Sequence, residues 1–165
     1  MMSTSDRAPD LRDHLQQAKG RVVVGVDGSP RSLEALGIAA EIAKWRDLSL
    51  DMVVAWHVTY PMSPYGIGFN ELMSAAREAA EIVLRDAEKE VLGDDPGVEV
   101  LRSIEQGSAA GVLIRFSEGA DLLVVGSRGH GGFSSLALGS VGQACVHHAH
   151  CPVLIVRPKT HEVLE

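Results

Sequence analysis

LLVVGSRGHGGFSSLALGS, Leu122 to Ser140, begins as an apolar run and turns abruptly into bare backbone. Gly126, Gly129, Gly131 and Gly132 fall within seven residues. Glycines that dense cost conformational entropy unless the chain must turn sharply or something approaches it closely. The apolar run reads as a strand, and Gly139-Ser140 as the first residues of a helix. A helix start offers unpaired N–H groups and a positive dipole end, which suits phosphate. The glycines let the preceding loop turn further N–H groups inward as an anion nest, and the Ser140 hydroxyl can donate to a phosphate oxygen or face a metal ion.

Outward from this stretch the chain alternates strand and helix. Arg21-Val-Val-Val-Gly-Val26 reads as a strand buried on both faces. Ser29 then suits an N-cap and Pro30 the first helical position. Leu33, Leu36, Ala40 and Ala43 recur at helical spacing up to about Trp45. LDMVVAWHV, Leu50 to Val58, is a second strand. Leu72, Ala76, Ala79, Val83, Ala87 and Val91 mark one face of a long helix stopped by Gly93-Asp-Asp-Pro-Gly97. A third strand spans Val98 to Ser103, a helix Ser108 to Glu118, a fourth strand Asp121 to Val125, a helix Ser140 to Ala149, and a fifth strand Pro152 to Arg157. Such alternation argues for an α/β fold, an open parallel sheet with helices on both faces. Ligands of such sheets bind outside the carboxyl ends of the strands, where strand order reverses. If the first and fourth strands flank that reversal, their glycine turns line one crevice.

Composition bounds the partners. The 165 residues suffice for one domain with a real core, and are 45% hydrophobic, 22% charged and 4% aromatic. A formal net charge of -7 speaks against general electrostatic attraction to nucleic acid or an anionic membrane, so any anion is held locally. Residues 1–20 are polar, unlike a secretory signal, and are expected to form a mobile tail, as are residues 159–165. No apolar run approaches the ~20 residues of a membrane helix. Cys145 and Cys151 are too few for a disulfide framework. The cytoplasm is the expected compartment.

The spacing in the glycine stretch carries more. The Walker pattern GxxxxGK(S/T) is absent. Gly126, two residues, Gly129, nine residues, then Gly139-Ser140 match G-x2-G-x9-G-S/T, and the flanks read VVVGVDGS, His57-Val58 and AHCPVLIVRP. On these residues the chain resembles the universal stress protein family over about Arg21 to Pro158. The resemblance implies a single-domain, Rossmann-like five-stranded sheet, usually in the order 3-2-1-4-5, that dimerises and in one branch binds ATP. Carried over by position, Gly25, Val26 and Asp27 face the nucleotide, and Val58 contacts adenine through its backbone. Gly126, Ser127, Arg128, Gly129, Gly139, Ser140 and Val141 surround the ribose and phosphates, with Mg2+ held through the phosphates. Asp27 meets a ribose hydroxyl, meets a water on Mg2+, or caps the first helix; the sequence leaves these open. Val58 also reads as an ordinary core residue. Arg128 and His130 point to phosphate or to solvent, and Thr59 to Phe69 reads as a surface loop or a cover for adenine.

A competing cluster gathers Cys145, His147, His148, His150 and Cys151 within seven residues, the residue types of a metal site. Only Cys145 and His148 share a helical face, so we expect no metal there. No nucleophile–base pair reads as a hydrolase, so no catalytic residue is assigned. The expected function is an ATP-binding regulatory protein of stress physiology, the last part from the resemblance alone. ATP would order the Ser127 to Leu138 loop and bias a surface read by an unidentified partner. A slow ATPase or phosphotransferase in the same cleft, or a cyclic-AMP-binding protein, are the alternatives. The fifth strand, placed at the sheet edge by the family order, carries Val153, Leu154, Ile155 and Val156 without a charge, so a homodimer through that edge is expected.

Overall fold

Val22, Val23 and Val24 lose all contact with solvent in the computed structural model, which describes residues 20–58, 68–129 and 138–157. They form β1 (Arg21–Gly25), the central strand. The chain continues through α1 (Pro30–Trp45), β2 (Ser49–Trp56), α2 (Phe69–Val91), β3 (Val100–Gln106), α3 (Ala109–Phe116), β4 (Leu122–Gly126), α4 (Ser140–His148) and β5 (Val153–Val156). The five strands are all parallel, in the order β3-β2-β1-β4-β5. Val22 pairs with Leu50 on one side and Leu122 on the other, so β1 sits between β2 and β4 and the order reverses beside it.

Strand periodicity divides the core. Val22, Val24, Met52 and Val124 face α1 and α2, whereas Val23, Val53, Leu123 and Val125 face α3 and α4. Burial on both faces explains why these strands read as continuous apolar runs. Ser29 caps α1 as expected: its Oγ accepts the Ser32 N–H at 3.3 Å, and Pro30 opens the helix.

Some details differ from the sequence reading. The buried stripe of α1 is Ser32, Ala35, Leu36, Ala39 and Ala43, with Leu33 and Ala40 at its margin. On α2 the buried residues are Ala80, Leu84 and Ala87, while Leu72 and Ala79 are exposed. A 23-residue helix at 3.6 residues per turn drifts off a regular spacing, and the start of α2 carries exposed Phe69 as well. β3 begins two residues later than expected and runs on to Gln106, because its polar residues serve an edge strand. Arg102 pairs with Glu88 of α2, and Glu105 with Arg115 of α3 at 2.8 Å. Asp51 interrupts apolar β2 yet is buried; it accepts the Ser103 hydroxyl at 2.9 Å and lies 3.7 Å from the Arg21 guanidinium. The expected tails lie outside the described residues.

Candidate functional site

Two turns leave the sheet side by side at the carboxyl ends of β1 and β4, and between them opens a cleft of about 530 Å3, counted to its mouth. Its apolar wall is Val53 and Ala55 of β2, Ala109 and Leu113 of α3, Val125 of β4 and Val141 of α4. Its polar rim is Asp27, Ser32 and Arg128. The wall suits a planar ring, and the rim suits a sugar and an anion.

The first turn is held locally. Gly28 takes a φ of 80°, a backbone that side chains resist, and so redirects the chain from β1 into α1. The Ser29 N–H donates to Asp27 Oδ1 at 2.9 Å, the Asp27 N–H donates to Ser32 Oγ at 3.2 Å, and that hydroxyl donates to the Ser29 carbonyl at 2.9 Å. Ser29, not Asp27, is therefore the helix cap, and the Asp27 carboxylate stands in the cleft.

The second turn is pinned at both ends. The Ser127 N–H donates to the Val156 carbonyl at 2.8 Å, and the Gly139 N–H donates to the Ser127 carbonyl at 2.8 Å. Gly139 is the N-cap of α4, and the Gln143 N–H donates to its carbonyl at 3.0 Å. The Gly139 amide is thus spent within the protein. The first-turn amides that follow it, from exposed Ser140 and half-buried Val141 onward, have no intrahelical acceptor and are the donors this helix start can offer.

The motif glycines differ in what they accommodate. A β-carbon on Gly25 would come within 2.8 Å of Leu113 Cδ1, and one on Gly126 within 3.1 Å of the Arg31 backbone. One on Gly129 would collide with Asp27 Oδ2. One on Gly139 would meet its nearest described neighbours, Ser127 O and Arg128 Cα, at an ordinary 3.5 and 3.6 Å.

Of the residues singled out from sequence, Gly25, Val26, Asp27, Gly126, Arg128, Gly129 and Val141 line this cleft. Ser127, Gly139 and Ser140 are not part of the lining: Ser127 is buried, and Gly139 and Ser140 open α4 next to Val141. Val58 is half-buried, two residues past the end of β2, and is not part of the lining. His130, residues 59–67 and residues 130–137 lie outside the described residues. Ser32, Val53, Ala55, Ala109, Leu113 and Val125 were missed. The alternation of Val53 and Ala55 in β2 was the available signal; the α3 contribution had none, since nothing local says which helix end roofs a cleft.

The Cys/His cluster is dispersed in space. Cys145 is fully buried, and burial, with Cys151 second, pushes its thiol up to about 11. The His150 N–H donates to Ser117 Oγ at 2.8 Å, and its ring lies 3.6 Å from Glu118. Among the described residues no three His, Cys, Asp or Glu side chains gather as a metal site, and no helix is long and apolar enough to cross a membrane.

A parallel α/β sheet with its cleft at the point where strand order reverses defines a domain of the doubly wound class, whose ligands bind at that point. More specifically, the chain belongs to the universal stress protein family, whose family model matches residues 19–157. A universal stress protein of Mycobacterium tuberculosis is 36% identical over 136 residues, 82% of this chain and 45% of the relative, so the chain spans less than half of that protein. One from Methanocaldococcus jannaschii is 32% identical over 145 residues, covering 86% of this chain and 84% of the relative. A universal stress protein solved in complex with cAMP matches with a TM-score of 0.62 at 28% identity, over 85% of this chain and 98% of its own.

Proposed function

We propose that this chain binds ATP in the cleft between the β1 and β4 turns and acts as a nucleotide-dependent regulatory factor of the cytoplasm. The observation that carries the reading is the cleft itself: an apolar wall, one carboxylate and one guanidinium at its rim, and the start of α4 at its border. Val53, Ala55 and Leu113 supply an apolar seat for adenine. Asp27 takes a ribose hydroxyl or a water of the metal, and Arg128 with the first-turn amides of α4 takes the phosphates. Among the described residues Asp27 is the only carboxylate of the lining, which fits Mg2+ carried on the phosphates rather than caged by protein.

Regulation rather than turnover fits a rim on which the described residues place no nucleophile–base pair. ATP acts as a signal if the nucleotide-bound and free forms present different surfaces, which requires different affinity for the two states. The free edge of β5 supports assembly as a homodimer. Pro152 and Val156 turn their carbonyls toward β4, so the backbone groups of Val153 and Ile155 point to the open edge. Pairing there with the same strand of a second chain, antiparallel about a two-fold axis, satisfies both.

Cyclic AMP is the second reading, favoured by the cAMP complex of the 28% identical relative. The test is to identify by mass the nucleotide retained by purified protein, then titrate ATP with Mg2+ and cAMP in parallel by calorimetry. Micromolar ATP binding supports the proposal. Saturable cAMP binding without ATP binding replaces it, and binding of neither refutes both.

A further inference from the structure

The second glycine of the motif and a serine from the first helix converge on one atom group. The Gly129 backbone lies outside the left-handed region, so its conformation does not require glycine. The described atoms that a β-carbon there would strike are Asp27 Oδ2 and, at 3.6 Å, Asp27 Cγ. On the other side of the same carboxylate, Oδ1 accepts the Ser29 N–H. Beneath it Ser32, 4% exposed, uses its hydroxyl as acceptor for the Asp27 N–H and as donor to the Ser29 carbonyl.

We infer that Ser32 and Gly129 are positioning residues that act through Asp27: Ser32 fixes the Asp27 turn from below, and Gly129 leaves the space that its carboxylate occupies. The second motif glycine then admits a side chain of the protein, Asp27. The Ser32 hydroxyl spends its one donor on the Ser29 carbonyl and one of its two acceptor sites on the Asp27 N–H, which makes it a bridge within the turn. Gly129 and Asp27 sit on different turns, so the carboxylate packs across the cleft from the β1 turn to the β4 turn. The consequence for binding rests on the proposed nucleotide site; the clasp itself does not.

Two double-mutant cycles separate these. In the first, without nucleotide, the melting temperatures of the unmodified protein, Gly129→Ala, Asp27→Ala and the double variant are compared. Gly129→Ala lowers the melting temperature when Asp27 is present, and has no effect when Asp27→Ala has emptied the space. An equal loss in both backgrounds overturns the clasp, whatever the protein binds.

In the second, ATP affinity is measured on the same four proteins by calorimetry with Mg2+. Gly129→Ala weakens ATP at least tenfold in the unmodified background and less than twofold beside Asp27→Ala; a direct phosphate role predicts the same loss in both. If Asp27→Ala binds no ATP at millimolar nucleotide, the melting cycle decides alone. Ser32→Ala joins the second cycle only, because its bonds to the Asp27 N–H and the Ser29 carbonyl survive Asp27→Ala; its loss of ATP affinity shrinks beside Asp27→Ala, and an equal loss in both backgrounds refutes its role. Failure of the unmodified protein to bind any nucleotide counts against the proposed function and leaves the first cycle valid.

Discussion

Replacing Gly139 by valine separates fold from ligand more cleanly than any other motif glycine. Its φ of -72° and ψ of 165° are open to every residue type, and a β-carbon there meets Ser127 O and Arg128 Cα at 3.5 and 3.6 Å. Gly139 is an N-cap without a side-chain hydrogen bond, so the change in fold stability stays within about 1 kcal/mol. Gly126→Ala provides the contrast: its β-carbon lands 3.1 Å from the Arg31 backbone, which cannot swing aside, and overpacking of that kind costs about 1–3 kcal/mol. At the start of α4 the valine side chain narrows the approach to the first-turn amides, and ATP binding falls at least tenfold, about 1.4 kcal/mol. With ATP at a hundred times the original Kd, ligand stabilisation drops from about 2.7 to about 1.4 kcal/mol. The nucleotide-dependent rise in Tm shrinks by roughly half. Calorimetric titration with Mg2+ and ATP, beside thermal melts with and without nucleotide, reads both quantities. A folded Gly139→Val protein that binds ATP as tightly as the original refutes the phosphate assignment at α4.

Purified protein given Mg2+ and ATP turns over far below the ~1–1,000 per second of ordinary enzymes; hydrolysis near ~1 per second that disappears in Asp27→Ala would favour an enzyme. Ile155→Pro removes an N–H from the open edge of β5 and spares the β4 ladder, so it converts a dimer to a folded monomer in sedimentation; a dimer that survives it does not use this edge. Leu154→Lys is a poorer probe, because Leu154 packs against the chain's own core and its loss weakens the monomer too. The Cys145 thiol ionises near 9.0 when unfolded and is pushed up to about 11 in the fold, so its stabilising contribution is full below pH 9 and is lost as pH rises toward 11, by at most about 1.4 kcal/mol per pH unit. Denaturant melts from pH 8 to 11 check this: Cys145→Ala shows a shallower decline than the original, and an identical slope refutes it.

The sheet was legible because β1 and β4 are buried on both faces and therefore written as uninterrupted valine and leucine. The long glycine spacing pointed to the end of that sheet where the cleft opens. β3 was legible only in part, since an edge strand that pairs Arg102 with Glu88 and Glu105 with Arg115 has the composition of a loop. The apolar wall of the cleft was illegible for a different reason. Val53, Ala55 and Leu113 are ordinary core residues by type, and only the crossover of α3 over β2 and β1 brings them to the wall of one cleft. Asp51 was likewise hidden, because its partners Arg21 and Ser103 come from two other strands.

The bond from the Gly139 N–H to the Ser127 carbonyl closes the glycine segment at its base, while Ser127 itself is anchored to Val156. A segment tied off at its root can be rewritten without informing the sheet below it. Doubling its length would add only about 0.6 kcal/mol of closure entropy. Past Arg128 and Gly129, which line the cleft, the stretch up to Gly139 is therefore where new recognition can be grafted onto this scaffold, by natural variation or by an engineer inserting a reporter, while the strands that carry it stay as they are.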